Sequence, residues 1–268
     1  MDVLQTFVAR LGFRLDAVRA VLVFGLIYAR MMPIIAMSPF LGGQLITARI
    51  KILLSMLLTI VITPYFYINA GEIPVSYAII FFFMKEVFIG MVIGFYVSLI
   101  YYAIQGAGFV IDQARGQTQG ASFDPFLSAQ VSNIGEYLNL LSIVLFFVIN
   151  GHLIFINEIS SSYLIVPIDS FPQFQFSHIM TVLKFSSGFF VIALRLSVPV
   201  LLVILSVDIF MGIVNKLAAS VNVFFISMPL KAFAGILVFL LALPLYFGEI
   251  KSILSSIVEY IKHFLGLL

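Results

Sequence analysis

The sequence predicts an all-α integral membrane protein of about six long, bent hydrophobic helices arranged in hairpins, followed by a C-terminal amphipathic helix. Three observations predict it. Of 268 residues, 62% are hydrophobic and only 10% are charged, whereas a soluble domain carries about a quarter charged residues. The mean hydropathy is +1.18. Apolar runs near the ~20-residue length that spans a bilayer recur along the chain, joined by short connections that leave no room for a soluble domain. The net charge of +2 is too small and dispersed to mark a nucleic-acid surface, and the absence of cysteine excludes disulfides, thiolate metal sites and cysteine nucleophiles.

Six apolar runs occupy residues 17–37, 52–70, 75–105, 134–157, 179–214 and 223–247. An even count puts both termini on one side. Arg49 and Lys51 mark the first connection as cytoplasmic, while Asn69-Ala70-Gly71-Glu72 and the connection holding Glu158 and Asp169 read as external. Alternation then places residues 106–125 and Lys216 on the cytoplasmic side; Arg10, Arg14 and Arg19 pull the other way. No small-residue cleavage pattern follows the first run, so a retained N-terminus is expected.

Each run carries its own modulation. In the third, Gly90, Gly94 and then Ser98 stand at four-residue spacing, a small-residue face that lets another helix backbone approach closely. Pro33, Pro199, Pro229 and Pro244 fall inside apolar runs, where each removes a backbone donor and bends or breaks its helix. The fifth run would extend ~50 Å at 1.5 Å per residue, so it is tilted, broken near Pro199, or projects from the bilayer. From Glu249 onward, Ile250, Ile253, Leu254, Ile257, Val258, Ile261, Phe264 and Leu265 follow helical periodicity opposite Lys251, Ser252, Ser255, Ser256, Glu259 and Lys262. This amphipathic tail is expected to lie at the membrane interface, or else to dock on a partner.

Lys85, Glu86, Lys184, Arg195, Asp208 and Lys231 lie in or near the apolar runs. Each would cost at least about 2.5 kcal/mol at a bilayer centre, so they face protein or water. Lys85 and Glu86 project about 100° apart on a helix, which argues against direct pairing and for partners on other helices or subunits. Snorkelling at a tilted helix end is the ordinary alternative for Lys184 and Lys231.

The polar island at residues 106–125 separates the third and fourth runs. Gly106, Gly108, Gly116 and Gly120 suggest an irregular backbone, which lipid cannot satisfy and which must therefore be buried in protein or line an aqueous path. That makes it a candidate gate. Asp112 and Arg115, three apart, can pair across a turn, and Pro125 stiffens the return into the next helix. An ordinary connecting loop, with Asp112 as a cap or ion-pair partner and Asp124 as a turn residue before proline, is the competing reading.

Enzyme chemistry finds no support. His152, His178 and His263 lack metal-ligand spacing, no His-Glu-x-x-His or Gly-x-Ser-x-Gly occurs, and Gly106-Ala107-Gly108 lacks the third glycine and the preceding strand of a dinucleotide loop. No cofactor and no metal is expected.

Taken in order, Lys85-Glu86-x-x-x-Gly90-x-x-x-Gly94, Ile111-Asp112-Gln113-Ala114-Arg115-Gly116 with Asp124-Pro125, Asn150-Gly151-His152, Pro199 with Asp208, and Asn222-x-x-x-Ile226-Ser227-x-x-x-Lys231 resemble the FliR/SctT family of export-gate proteins. The resemblance covers most of the chain. It departs from the family pattern at Gln113-Ala114, where the glutamine often stands one position later, and at Ala219-Ser220, where Pro-Gln is frequent. It implies a non-enzymatic component of the bacterial inner membrane in a flagellar or virulence-type type III secretion apparatus. Implied partners are smaller export-gate membrane subunits in a hetero-oligomeric spiral, the export switch membrane protein, and unfolded protein substrates in transit. Such a subunit looks like one copy of each of two smaller partners fused end to end, here a four-helix part at 1–170 and a two-helix part with the tail at 171–268. A loop matching residues 106–125 is associated with plugging the closed pore, which carries that role to Asp112, Arg115, Gly116, Asp124 and Pro125. Arg115-Gly116 favours the injectisome branch. Two other classes compete: a small-solute transporter, which should show two internally similar halves, and a membrane scaffold, which should show no conductance change when loop glycines are replaced.

Overall fold

The computed structural model describes residues 15–43, 46–69, 77–117, 132–171, 176–218 and 222–267. Among these residues all regular structure is helical: α1 (Leu15–Met37), α2 (Pro39–Gly42), α3 (Ala48–Asn69), α4 (Ile79–Ala114), α5 (Asn133–Val148), α6 (Gly151–Ile165), α7 (Phe176–Leu217), α8 (Val223–Leu241) and α9 (Leu243–Leu267). Five of them are long and apolar enough to cross a membrane, and α5 with α6 would make a sixth span if the bent pair counts as one. The chain forms two compact units. One comprises the described residues up to Ser98, His152–Val182 and those from Ile257 on; the other comprises those within Leu99–Gly151 and Leu183–Ser256.

In the first unit, α1 buries Val23, Leu26, Ile27, Arg30, Met31, Ile34 and Ile35 and exposes Val21 and Met32. The i, i+3, i+4 spacing gives a single packed face, which lies against α3. Helix α3 is patterned the other way round. Its buried side holds Ser55 and Thr59 beside Ile62 and Phe66, while Ile52, Leu53, Met56, Leu57, Ile60 and Val61 are exposed. The two hydroxyls donate within the helix, Ser55 to the Ile52 carbonyl and Thr59 to the Ser55 carbonyl, so polarity is hidden and the apolar face is left for lipid. The small-residue face of α4 meets α1 almost backbone to backbone. A Cβ on Gly90 would collide with the Arg30 carbonyl, and one on Gly94 would stand 3.1 Å from the Pro33 carbonyl oxygen.

Several expectations are corrected. The third run does not end at Gln105: α4 continues unbroken through Gly106 and Gly108 to Ala114, 36 residues in all. Neither glycine is irregular backbone: Gly108 allows close packing inside the helix, while a Cβ on Gly106 would meet only ordinary contacts. The run at 134–157 is not one helix, because α5 and α6 meet at a 76° bend. Asn150 takes φ 56, a left-handed conformation that Asn tolerates, and a Cβ on Gly151 would strike the Phe146 ring. Glu158 lies within α6, not in an external connection, and pairs at 3.1 Å with Lys262. Helix α7 runs 42 residues without a break at Pro199. Pro244 does not bend the sixth run, which stops at Leu241; it is the second residue of α9, where a missing N–H removes no helical bond.

The amphipathic tail forms as part of α9, and the described part of its apolar stripe is covered by this chain. Tyr246, Ile250, Leu254, Ile257 and Ile261 are each at most 1% exposed. Their 4, 4, 3, 4 spacing is one helical stripe, and it is satisfied intramolecularly, not by headgroups or a partner.

Candidate functional site

Two clusters of buried polar groups stand out, one in each unit. In the first unit, α1 contributes Arg30 and α4 contributes Lys85 and Glu86. The Arg30 Nε lies 2.5 Å from Glu86 Oε2, and Lys85 Nζ lies 2.8 Å from Glu86 Oε1. Direct pairing of Lys85 with Glu86 corrects the expectation that they find other partners instead. Their long side chains bend toward a shared point despite the angular offset of adjacent helical positions.

Glu86 thus faces two cations, Asp169 also acts electrostatically on Lys85, and backbone carbonyls take up the remaining donors. Arg30 donates to the Val166 carbonyl at 2.8 Å and to Ser162 Oγ at 3.1 Å. Lys85 donates to the carbonyls of Pro167, Ile168 and Ser170. These oxygens lie just past the C-terminus of α6, the negative end of its dipole. The Arg30 guanidinium also sits 4.1 Å over the Tyr163 ring, whose hydroxyl donates to the Ile27 carbonyl. Every partner comes from the same chain, so this cluster welds α1, α4 and the segment after α6 together. Nothing in it is open to a substrate.

The second cluster holds the connection between α4 and α5. Asp112, buried on the last turn of α4, accepts at Oδ2 from Ser132 Oγ at 2.8 Å and from the Ile134 backbone N–H at 2.9 Å. Ser132 is the N-cap of α5, and its hydroxyl accepts from the Gly135 N–H at 2.9 Å. Two of the donors that a helix N-terminus leaves unsatisfied are thereby filled. Asp112 Oδ1 faces Arg115 Nη2 at 3.3 Å, and the same nitrogen donates to Gln117 Oε1 at 3.0 Å. One carboxylate therefore holds residues on both sides of the connection. The backbones are tight here as well: a Cβ on Gly108 would run into the Gly135 backbone. At Gly116, φ is 80, which suits glycine alone among common residues and turns the chain out of the helix. A groove of about 310 Å³ opens beside this turn, lined by Arg115, Gly116, Gln117, Met228, Pro229 and Ala232.

Arg195, Asp208 and Lys231 are also paired within the chain. Arg195 reaches Glu249 at 3.0 Å, in an exposed setting. Lys231 pairs with Asp208 beside a groove of about 360 Å³ whose polar lining includes Asn215, Asn222 and Ser227. Thus the charges at 85, 86, 195, 208 and 231 each have a partner within the chain. Gly120, Asp124 and Pro125 lie outside the described residues. Among the described residues no group of three His, Cys, Asp or Glu is placed to hold a metal.

Sequence reasoning missed Arg30, although a lone arginine in the first apolar run was the same signal that singled out Lys85 and Glu86. It also missed Ser132, Gly135 and Gly235, which are informative only once the helices are packed.

Residues 21–257 match the model of Bacterial export proteins, family 1. The chain belongs to this family. The flagellar biosynthetic protein FliR of Pectobacterium carotovorum subsp. carotovorum is 28% identical over 88% of this chain and 92% of its own. The surface presentation of antigens protein SpaR of Shigella flexneri is 28% identical over 86% of this chain and 89% of its own. The secretion system apparatus protein SsaT of Salmonella typhimurium is 30% identical over 59% and 61% respectively. The family match encloses both polar clusters and stops within α9. It is a family of export components, not of enzymes, and with its run of apolar helices this member is a multi-pass protein of the bacterial inner membrane.

Proposed function

We propose that this family member is a subunit of the type III export gate, forming part of the inner-membrane pore through which unfolded proteins leave the cytoplasm, and that its 115–132 connection closes the pore at rest. The observation that carries the closing role is the anchorage at Asp112. The two ends of this polar connection are held by a single buried carboxylate, and their release requires only a few hydrogen bonds and one ion pair to part. A pore for unfolded chains has to seal against ions without recognising any solute, and a compact polar plug can do that.

The partners are the smaller membrane subunits of the gate, arranged with this chain in a spiral, together with the export switch membrane protein. Large apolar side chains exposed on α7 and α8, such as Phe210, Ile213, Phe225 and Phe233, offer them contact area. On this reading residues 1–170 and 171–268 stand in for two such subunits joined end to end. The relatives bearing flagellar and surface-presentation names are equally similar, so the preference for the injectisome branch rests on Arg115-Gly116.

Purification in gentle detergent followed by native mass measurement tests membership of the gate. Small hydrophobic subunits should co-purify in a fixed ratio. A monomer or homodimer as the largest species would overturn the proposal and favour a solute transporter.

A further inference from the structure

The groove of about 360 Å³ beside the Asp208 ion pair lies between α7 and α8, and it carries hydrogen-bonding groups that this chain does not use. On α7, Asp208, Gly212 and Asn215 line it at i, i+4 and i+7, which puts them on one helix face. Asn222, the N-cap of α8, and Ser227 line it from the other side. Among the described residues the carboxamides of Asn215 and Asn222 have no hydrogen-bond partner. The Asp208 carboxylate meets Lys231 through one oxygen, yet its side chain is still 44% exposed. The Ser227 hydroxyl donates to the Phe224 carbonyl at 2.9 Å, which leaves its oxygen able to accept. Gly212 is exposed, and a Cβ there would meet nothing within 4 Å.

We infer that this groove receives a membrane-spanning helix of another gate subunit, one that sets a small residue against Gly212 and hydroxyl or carboxamide side chains against Asp208, Asn215 and Asn222. This rests on the reading of the chain as a gate subunit. Lipid fits the groove poorly. Asp208 stands ~13 Å back along α7 from its end at Leu217, at 1.5 Å per residue, in a helix long and apolar enough to cross a membrane. Acyl chains offer neither donors nor acceptors there, so a half-exposed carboxylate and unused amides against them are costly. Water would satisfy these groups but gives no reason for Gly212. A glycine inside a helix weakens it and leaves a dent in its surface. Between membrane helices such a dent lets a second backbone come close, and polar side chains beside it form interhelical hydrogen bonds. Gly90 is used in this way within the chain, against the α1 backbone. Gly212 offers the same surface outward, with the polar groups already around it.

The test is made on the complex purified from cells expressing the full apparatus. p-Benzoylphenylalanine replaces Phe224, an exposed ring on the groove wall, and irradiation joins it to whatever lies against it. Mass spectrometry should find an adduct with a membrane-spanning peptide of a second subunit that carries Gly, Ala or Ser and a further Ser, Thr, Asn or Gln at helical spacing. Adducts with lipid alone, no adduct at all, or an adduct with a segment of large aliphatic residues only would overturn the inference. If the benzophenone itself prevents assembly, the smaller p-azidophenylalanine at the same position is read in the same way. In parallel, Gly212→Leu fills the groove, and Gly248→Leu makes the same change at another helical glycine whose Cβ would meet nothing within 4 Å. Leucine favours a helix more than glycine does, so neither change weakens the chain by itself. Gly212→Leu should lower recovery of the other subunits severalfold at an unchanged level of this chain in the membrane, and Gly248→Leu should leave recovery as it was. Equal recovery from the two variants would overturn the inference. The two levels separate cleanly: if no other subunit co-purifies with the unaltered chain, the gate reading fails and the inference with it, whereas subunits that co-purify while the groove joins only to lipid sink the inference and spare the gate.

Discussion

The cluster around Glu86 and the cluster around Asp112 each place a carboxylate of α4 in the protein interior against a cation, yet they are built for opposite ends. Glu86 meets Arg30 across 56 residues of sequence, and its cations are saturated by carbonyls more than 80 residues further on. These partners sit on helix faces and on a turn fixed at the end of α6. Asp112 meets a cation three residues away and the cap of the very next helix. The first arrangement joins distant parts of the chain and cannot change without undoing the fold. The second joins the two ends of one connection and can change locally. Burial of an ion pair is thus no guide to its role by itself; the sequence distance between its partners decides it.

Breaking each cluster should sharpen this contrast. The largest effect is expected from Glu86→Leu, which leaves Arg30 and Lys85 buried together without their anion; removing one member of a buried pair costs about 3–5 kcal/mol. The chain should lose its own fold, seen as a fall in the amount of intact protein in membranes and a collapse of thermal stability in detergent. A stable chain that merely failed to bind its partners would show that the cluster serves assembly instead. Asp112→Asn should cost less, about 1–3 kcal/mol, since the amide can still accept from one donor while the Arg115 ion pair is lost. Protein level and assembly should persist, with the resting leak raised; Ser132→Ala, which removes a cap worth about 1 kcal/mol, should do the same more weakly. Equal loss of protein from Glu86→Leu and Asp112→Asn would erase the distinction between the two clusters.

Much of this was legible in the sequence, and the failures have physical causes. Composition and apolar runs settle the membrane class because a bilayer imposes a length and a polarity that few soluble segments share. The i, i+3 spacing of Asp112 and Arg115 is local, so their pairing could be read directly. The course of α4 through Gly106 and Gly108 could not. Glycine in a loop and glycine in a helix crossed by another backbone look alike until Gly135 is in place. The tail was read correctly as amphipathic, but periodicity says only that one face needs covering, not that Tyr246, Ile250 and Leu254 find their cover within the same chain. The bend at Asn150 hid inside an apolar run for a related reason, since hydrophobicity continues across it while the backbone does not. Arg30 carried the signal of a lone charge in an apolar run, but its pairing did not show: its partner Glu86 lies on another helix, and no spacing rule reaches across 56 residues.

Closure of the resting pore is the role proposed for the connection after α4. Its most direct test is the conductance of the purified, fully assembled complex in a lipid bilayer, with and without residues 117–121. The intact complex should be silent and the shortened one should pass ions, with the same subunit composition by native mass. A shortened complex that assembles normally and remains as silent as the intact one would contradict the account.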